Sequence, residues 1–204
     1  MIPLYGFVGM VVSLPWAAGL FRRVAHRPAA YLNILLTLLA FVHGSLILQE
    51  VFQSGPVDLS YPWLTVADLE LDISFSLSLT NLVALELITG LSLFSQVYSL
   101  GYMDKEWALA RFFALLGFFE GAMSGVVLSD SLFQSYFLLE MLTLSTYLLV
   151  GFWYAQPLVI TAARDAFLTK RVGDVLLLMG VVALCSFAGG MGLSLIHISE
   201  PTRQ

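Results

Sequence analysis

The sequence predicts an all-α membrane protein with six transmembrane helices and a short exposed β-hairpin-like loop between the second and third. Apolar residues make up 59% of the 204 residues, charged residues only 11%, and the mean hydropathy is +0.88. Soluble domains carry about 25% charged residues, so a lipid bilayer is the natural solvent for this chain. Apolar runs of about 20 residues recur, and each is long enough to cross a hydrocarbon core about 30 Å thick. The composition therefore argues against a water-soluble enzyme.

The predicted elements follow the apolar runs in chain order. The six spans are residues 2–20, 29–48, 79–100, 107–128, 131–153 and 172–190. Between the second and third spans, Ser54-Gly55-Pro56 is a turn signal, and the stretch from Leu69 to Leu77 alternates apolar and polar residues. Period-two alternation predicts an exposed hairpin strand. No basic segment precedes Pro3, so we expect the first span to remain in the mature protein.

The charged residues in the loops and at the ends of the spans divide between the two predicted sides. On one side lie the basic residues Arg22, Arg23, Arg27, Lys105, Arg111, Arg164, Lys170 and Arg171. On the other lie the acidic residues Glu50, Asp58, Asp68, Glu70, Asp72 and Asp130, without Lys or Arg. Because Lys and Arg accumulate in cytoplasmic loops, the N-terminus is predicted to face the periplasm or lumen. The acidic loop is either a partner-docking surface or ordinary solvated polarity.

Three glutamates fall inside the predicted spans, where a charge at the centre costs roughly 2.5 to 3.5 kcal/mol. Glu120 and Glu140 each lie ten positions from Asp130, so two antiparallel helices joined there hold them at matching depth. Thr143 and Tyr147 share a helix face with Glu140 and offer hydroxyl groups to it. Burial within the bilayer raises the pKa of a carboxylate and a nearby cation lowers it, so a glutamate whose cationic partner moves is suited to proton relay. The alternative is that the glutamates only pack helices; Glu86 and His43 are open between the two roles.

Two further patterns bear on chemistry. Arg171 and Asp174 are three residues apart at the predicted entry to the sixth span, so they are expected to form an ion pair beside Lys170. Glycines at 117, 121 and 125 predict close helix approach rather than a phosphate site. The lone Cys185 and the three histidines have no metal-ligand spacing, so we expect no redox centre, bound cofactor or metal in this chain.

Two segments carry a family resemblance: Tyr136-Phe-Leu-Leu-Glu140-Met-Leu-Thr-Leu-Ser-Thr-Tyr147-Leu-Leu-Val-Gly151-Phe-Trp-Tyr154 and Ala166-Phe-Leu-Thr-Lys170-Arg-Val-Gly-Asp174. They resemble the antiporter-like subunits of complex I-type NAD(P)H:quinone oxidoreductases, in particular the large terminal subunit, NuoL in bacteria and NdhF in cyanobacteria and chloroplasts. The Mrp sodium/proton antiporter subunits are related to it. The resemblance implies inverted half-channels of five helices, which translocate protons driven by redox chemistry elsewhere in the complex.

The resemblance also assigns roles to residues and partners. Glu140 matches the glutamate that pairs with a channel lysine, and Arg171 with Asp174 matches the charged motif that opens the sixth helix; Glu120 matches less securely. Partner subunits of the same membrane complex are expected to bind NAD(P)H or ferredoxin, iron–sulfur clusters and quinone. No nucleic-acid partner is expected.

The segment Leu139-Glu140-Met-Leu-Thr-Leu-Ser-Thr-Tyr147 departs from the common Trp-Glu pattern of the family. It is most similar to the cyanobacterial variants in complexes for carbon dioxide uptake. That similarity implies a cyanobacterial thylakoid or plasma membrane, plastoquinone as acceptor, and a neighbouring subunit that hydrates carbon dioxide.

The end of the chain, Leu193-Ser-Leu-Ile-His197-Ile-Ser-Glu200-Pro-Thr-Arg203, resembles a translated transposon-end sequencing adapter. We therefore expect three parts: an N-terminal two-helix segment with the acidic loop (1–77), the start of a truncated proton-translocating domain (78–192), and an adapter-derived tail (193–204). The channel lysine and second half-channel of the family would lie downstream, so the fragment alone is expected to be inactive, with the Glu140 face lacking its cation. The rival functions are an Mrp-type cation/proton antiporter subunit and a purely structural membrane subunit.

Overall fold

The computed structural model describes residues 2–20, 27–66 and 69–188, and it contains six helices and one hairpin in these ranges. In chain order the elements are α1 Pro3–Ala17, α2 Arg27–Ser54, β1 Val57–Val66, β2 Leu69–Leu77, α3 Leu79–Tyr102, α4 Leu109–Leu128, α5 Leu132–Val150 and α6 Pro157–Ala188. Among the described residues, α2, α3, α4 and α5 are long and apolar enough to cross a membrane. The helical membrane fold is confirmed, whereas the count of six spans stays a prediction.

The boundary of α6 is the main difference from the sequence prediction. The helix begins at Pro157 rather than at residue 172, and it includes Arg164, Lys170 and Arg171, which were expected in a loop. Proline is favoured in the first turn of a helix, and the Ala, Arg, Lys and Leu residues that follow are good helix formers. Hydropathy detects only the apolar part of such a helix, so it missed the charged first half.

The predicted hairpin is present as an antiparallel pair, β1 with β2. Its register shifts between Pro62 and Leu64, where proline has no backbone N–H for the ladder. The hairpin docks on the turn between α4 and α5: the Asp130 N–H donates to the Ser74 carbonyl at 3.0 Å, and the Ser74 N–H donates to Gln134 Oε1 at 2.9 Å. This end of the molecule is called the hairpin side below.

Helix α1 packs against α4 through glycines of both helices. A Cβ atom built on Gly6 would lie 2.5 Å from the Gly117 carbonyl oxygen and 2.6 Å from the Gly121 nitrogen. Gly125 approaches the Leu138 side chain of α5 in the same way. The predicted role of these α4 glycines in close helix approach is confirmed, because larger residues would separate the backbones.

At the end opposite the hairpin, Arg111 of α4 holds the chain that follows α5. Its guanidinium carbon lies 4.8 Å from the centroid of Phe152 and 4.9 Å from that of Tyr154, and it donates to the Phe152 carbonyl at 2.6 Å. Arg27 and Asp104 form an ion pair at the same end.

Two apolar clusters fill the described core, one at each end of the helices. The hairpin-side cluster includes Ala40 and Leu85, and the opposite cluster includes Ala30 and Phe113. On α2, Thr37 lies between Ala30 and Ala40, so a polar layer separates the two clusters.

Candidate proton-transfer site

Glu140 of α5 and Arg171 of α6 form an ion pair between their helices. The carboxylate is 18% exposed and the Arg171 side chain 37%, so the pair is mostly withdrawn from solvent. The Tyr136 hydroxyl donates to the second carboxylate oxygen, Oε1, at 2.8 Å. Glu140 therefore has a cationic partner on one oxygen and a neutral hydroxyl on the other.

Helical spacing and aromatic packing hold this pair in place. Tyr136 lies one turn before Glu140 on α5, and Phe167 lies one turn before Arg171 on α6, so both pairs share a helix face. The Arg171 guanidinium lies 4.7 Å from the Phe167 centroid, and the Phe167 ring lies 4.8 Å from that of Tyr147. The Phe167 ring packs on the Arg171 guanidinium, and the partial withdrawal of the pair from solvent strengthens its electrostatic attraction.

The expectation that Arg171 forms an ion pair with Asp174 is wrong. Arg171 pairs with Glu140, and no ion pair with Asp174 is found in the part of the chain that the structure describes. Asp174 Oδ2 is instead buried without a hydrogen-bond partner among these residues. The channel lysine that the resemblance pairs with Glu140 would lie downstream, and Arg171 is the cation that contacts Glu140 in the described residues. Lys170 is exposed on α6 and does not join this pair.

The hydroxyl partner of Glu140 also differs from the prediction. Thr143 is buried but donates nothing to Glu140, and Tyr147 packs on Phe167 instead. The predicted hydroxyl partners follow Glu140 in the sequence, whereas its actual partner, Tyr136, precedes it by four residues and was not predicted. The signal was available, since residues four positions before and after a helical residue are equally its neighbours.

A second polar cluster surrounds Glu120 of α4, which is 1% exposed. The Thr37 hydroxyl donates to Glu120 Oε2 at 2.6 Å. Gln96 Nε2 donates to the Thr37 hydroxyl oxygen at 2.8 Å and to Glu120 Oε2 at 3.3 Å. Three helices therefore meet at this carboxyl group, and sequence reasoning missed both Thr37 and Gln96. Their only signal was polarity inside an apolar span.

The cluster continues one helical turn toward the end opposite the hairpin. Asn33 donates through Nδ2 to the Ser13 hydroxyl oxygen of α1 and to its own helix at the Ala29 carbonyl. A Cβ atom at Gly9 or at Gly117 would lie 2.5 or 2.7 Å from the Asn33 side-chain oxygen. The two glycines thus leave room for an amide between α1 and α4.

Glu86 and His43 have partners on neighbouring helices. Ser45 of α2 donates to Glu86 Oε2 at 3.1 Å, while Glu86 Oε1 is buried without a partner among the described residues. His43 Nδ1 lies 3.3 Å from the Tyr5 hydroxyl, and the two rings meet edge to face. Neither residue contacts the Glu140 pair.

Asp130 lies outside the helices, in the turn that the hairpin covers. Partial burial, and then the negative charge of Asp58 on β1, raise the pKa of Asp130 above its ordinary value. The hairpin is thus electrostatically coupled to the turn between α4 and α5.

The fold and the site together define a multi-spanning helical membrane protein with ionisable side chains buried between its helices. Two family models match the chain. The N-terminal part of complex I chain 5 matches residues 63–113, and the transmembrane domain of NADH:quinone oxidoreductases and Mrp antiporters matches residues 129–201.

Similar proteins point the same way. NAD(P)H-quinone oxidoreductase subunit 5, organellar chromatophore 2, of Paulinella chromatophora is 75% identical over 94% of this chain. The chloroplastic subunit 5 of Chaetosphaeridium globosum is 35% identical over 78%, and that of Lotus japonicus is 32% identical over 93%. The chain belongs to the antiporter-like subunit family of complex I-type oxidoreductases.

The chain spans 31% of the Paulinella relative and 25% of each of the two chloroplast relatives. A solved structure of an Mrp complex from Dietzia sp. is similar in fold, with a TM-score of 0.75 and 21% identity over 97% of this chain and 20% of that one. Within the described ranges, no three His, Cys, Asp or Glu side chains are grouped as a metal site.

Proposed function

We propose that this chain is part of a membrane subunit that translocates protons, coupled to quinone reduction, in a complex I-type NAD(P)H or ferredoxin:quinone oxidoreductase. The observation that carries the proposal is the Glu140–Arg171 pair, with Tyr136 on the free carboxylate oxygen. A permanent pair between helices would be a costly way to pack them, since apolar residues of similar volume are often equally stable. A charged pair whose partners separate can instead serve proton transfer, which is a functional reason for ionisable residues inside a membrane.

The mechanism follows from what opening the pair does. While Arg171 contacts Glu140, the two charges balance each other. When Arg171 moves away, an uncompensated charge in this site costs several kcal/mol, so proton uptake by Glu140 accompanies opening. Closing the pair again favours proton release, and Tyr136 is placed to pass the proton to or from Oε1. Asp174, with its free buried oxygen three residues from Arg171, is the partner that Arg171 would take when it leaves Glu140.

The proposed partners and cofactors are supported by the relatives' names, which describe a subunit of NAD(P)H-quinone oxidoreductases, and by the family resemblance of the sequence. We assign NAD(P)H or ferredoxin, the iron–sulfur clusters and plastoquinone to other subunits of the assembly. A photosynthetic membrane, the thylakoid, is supported by the chromatophore and chloroplast relatives. The carbon dioxide-uptake form, with a carbon dioxide-hydrating neighbour, is supported by the sequence around Glu140 that departs from the common family pattern.

The topology that we propose with this function is six spans with a lumenal N-terminus. α6 has 32 residues, or about 48 Å of helix, which is enough to cross the bilayer and extend beyond it. α1 has 15 residues, and packing along α4 supports it as a span. Arg27, Lys105 and Arg111 lie at the end opposite the hairpin, as expected for a cytoplasmic side.

The proposal is tested by replacing Arg171 in the full-length gene and measuring protons translocated per electron in native membranes. Arg171→Gln should lower this ratio by at least about tenfold, whereas Arg171→Lys, which keeps the charge, should retain much of it. Arg164→Gln is the matched control, since Arg164 is exposed on the same helix and its one ion pair within the described ranges is with its neighbour Asp165. An unchanged ratio in an assembled Arg171→Gln complex contradicts the proposal, and a sodium requirement would favour the Mrp-type alternative.

A further inference from the structure

Buried polar side chains continue from Glu120 toward the hairpin side along three helices. On α2, Thr37, Gly44 and Ser45 lie on the side that faces α3 and α4, since Thr37 contacts Glu120 and Ser45 contacts Glu86. On α4, Ser124 lies one turn from Glu120. On α3 the set includes Glu86, which contacts Ser45, then Thr89, and Gln96, which contacts Thr37 and Glu120. This set, from Glu120 and Gln96 to Glu86 and Ser45, is called the polar column.

Three atoms of the polar column are buried without a hydrogen-bond partner in the described part of the chain. They are Gln96 Oε1, Ser124 Oγ and Glu86 Oε1. Gln96 is 0% exposed and Ser124 1% exposed, so neither atom is satisfied by bulk solvent. Buried polar atoms nearly always have a partner, and ordered water is the usual one where protein groups do not reach. The three atoms mark three successive levels along the polar column: Gln96 beside Glu120, then Ser124, then Glu86 nearest the hairpin side.

The spacing of these levels suits single water molecules. Thr37 and Ser45 are eight residues apart, or about 12 Å along α2. Ser124 is four residues, about 6 Å, from Glu120 along α4, which is halfway. A water that bridges two groups spans about 5.5 Å, because each of its hydrogen bonds is about 2.8 Å long.

Gly44 provides room at the hairpin-side end of the polar column. A Cβ atom at Gly44 would collide with Glu86 Oε1, the atom that lacks a partner. The glycine thus admits the carboxyl group between α2 and α3 beside Ser45. The neighbouring titratable groups, His43 and Tyr5, contact each other.

We propose that a chain of ordered water molecules, held by Gln96, Ser124 and Glu86, carries protons between Glu120 and the hairpin side of the bundle. This inference rests on the proposed proton-translocating function, but it places a second path in α2, α3 and α4, apart from the Glu140–Arg171 pair. The hydroxyl and amide groups of the polar column donate and accept hydrogen bonds alike, as a proton wire requires. Carboxyl groups at both ends can hold the proton before and after transfer.

The test uses the full-length protein in its native complex. Glu86→Gln and Ser124→Ala should each lower the number of protons translocated per electron, by up to about tenfold. The infrared bands of the buried carboxyl groups should change in both variants. Ser145→Ala is the control for Ser124, because Ser145 is also buried but donates only to its own helix at the Leu142 carbonyl. Gly44→Ala should displace the Glu86 carboxyl group, whereas Gly101→Ala meets open space and should have no effect.

A direct readout covers the case in which a variant fails to assemble. In the unaltered complex, transfer from H₂O to D₂O should shift infrared bands of weakly and strongly bonded internal water, and Ser124→Thr, which keeps the hydroxyl, should retain them. If Glu86→Gln and Ser124→Ala assemble with normal proton translocation and unchanged water bands, the polar column carries no protons and the inference is overturned. If the polar-column variants are normal but Glu140→Gln loses proton translocation, the proposed function stands and only this inference fails. Loss in the polar-column variants with normal Glu140→Gln activity would instead sustain the polar column and overturn the role of Glu140.

Discussion

At the scale of single residues, each glutamate of the site contacts side chains of other helices: Glu140 contacts Arg171 of α6, and Glu120 contacts Thr37 of α2. Glu140 stands out because a carboxylate in an apolar span is costly, and its position alone predicts a functional role. Its partner Tyr136 lies one turn earlier on the same helix, but its partner Arg171 depends on how α6 lies against α5, which no spacing within α5 reveals. The same holds for Glu120, whose partners Thr37 and Gln96 come from helices 83 and 24 residues away in sequence.

Tyr136→Phe removes one hydroxyl from Glu140 and leaves the ion pair in place. A typical hydrogen bond contributes about 0.5 to 1.5 kcal/mol net, so we expect proton translocation to fall severalfold but to remain above that of Glu140→Gln. Proton translocation per electron in membranes measures it. Tyr154→Phe is the control, since Tyr154 lies away from Glu140 and contacts Arg111. Equal activity in Tyr136→Phe and the unaltered protein would show that this hydroxyl has no part in transfer.

Asp130 predicts a pH dependence of stability. Its pKa in the folded protein is raised, so ionisation disfavours the folded state, and stability is lost as pH rises from the ordinary value of 3.8 through the raised one. Asp130→Asn should therefore stabilise the protein at neutral pH, by less than about 1 kcal/mol because solvent screens the site, and have no effect below the ordinary value. Thermal unfolding of the detergent-solubilised complex against pH measures this. If Asp130→Asn still stabilises the protein at the lowest pH, where Asp130 is protonated, the electrostatic explanation of its effect is excluded.

At the scale of elements, sequence periodicity gave the hairpin and the four spans α2 to α5, because both period-two alternation and long apolar runs are local patterns. It gave the wrong start for α6. The charged residues of its first half looked like a cytoplasmic loop, yet they are good helix formers and continue the helix. The position of Arg171 on this helical first half is what brings it to Glu140.

Gly6→Ala tests the close packing of α1 on α4. The new Cβ would lie 2.5 Å from the Gly117 carbonyl oxygen, so the two backbones must separate, at a cost of about 1 to 3 kcal/mol. We expect less assembled complex on native gels and a lower melting temperature. Gly180→Ala is the matched control, because its Cβ meets nothing within 4 Å. Normal assembly of Gly6→Ala would mean that α1 is free to move relative to α4.

At the scale of the whole molecule, the arrangement of helices is shared with the Mrp complex structure despite 21% identity. Composition and charge asymmetry predicted a membrane bundle, but not which helices touch. The contact of α1 with α4 and the polar layer between the two apolar clusters follow from long-range packing. The tail 193–204 lies outside the described residues, so the adapter origin stays a prediction.

The proposed orientation is tested by single cysteines in a background with Cys185→Ser. A cysteine at Ser60 on the hairpin should react with a membrane-impermeant thiol reagent only from the lumenal side. One at Lys105, between α3 and α4, should react only from the cytoplasmic side. Labelling of both from one side would contradict the predicted topology.

The most direct test of the central claim is the number of protons translocated per electron in native membranes carrying Glu140→Gln in the full-length gene. Assembly is checked on a native gel, and Glu50→Gln, an exposed glutamate at the hairpin end of α2, serves as control. We predict an assembled complex whose proton translocation falls by at least about tenfold while Glu50→Gln is unaffected. An assembled Glu140→Gln complex with normal proton translocation would show that the pair with Arg171 only holds α5 and α6 together.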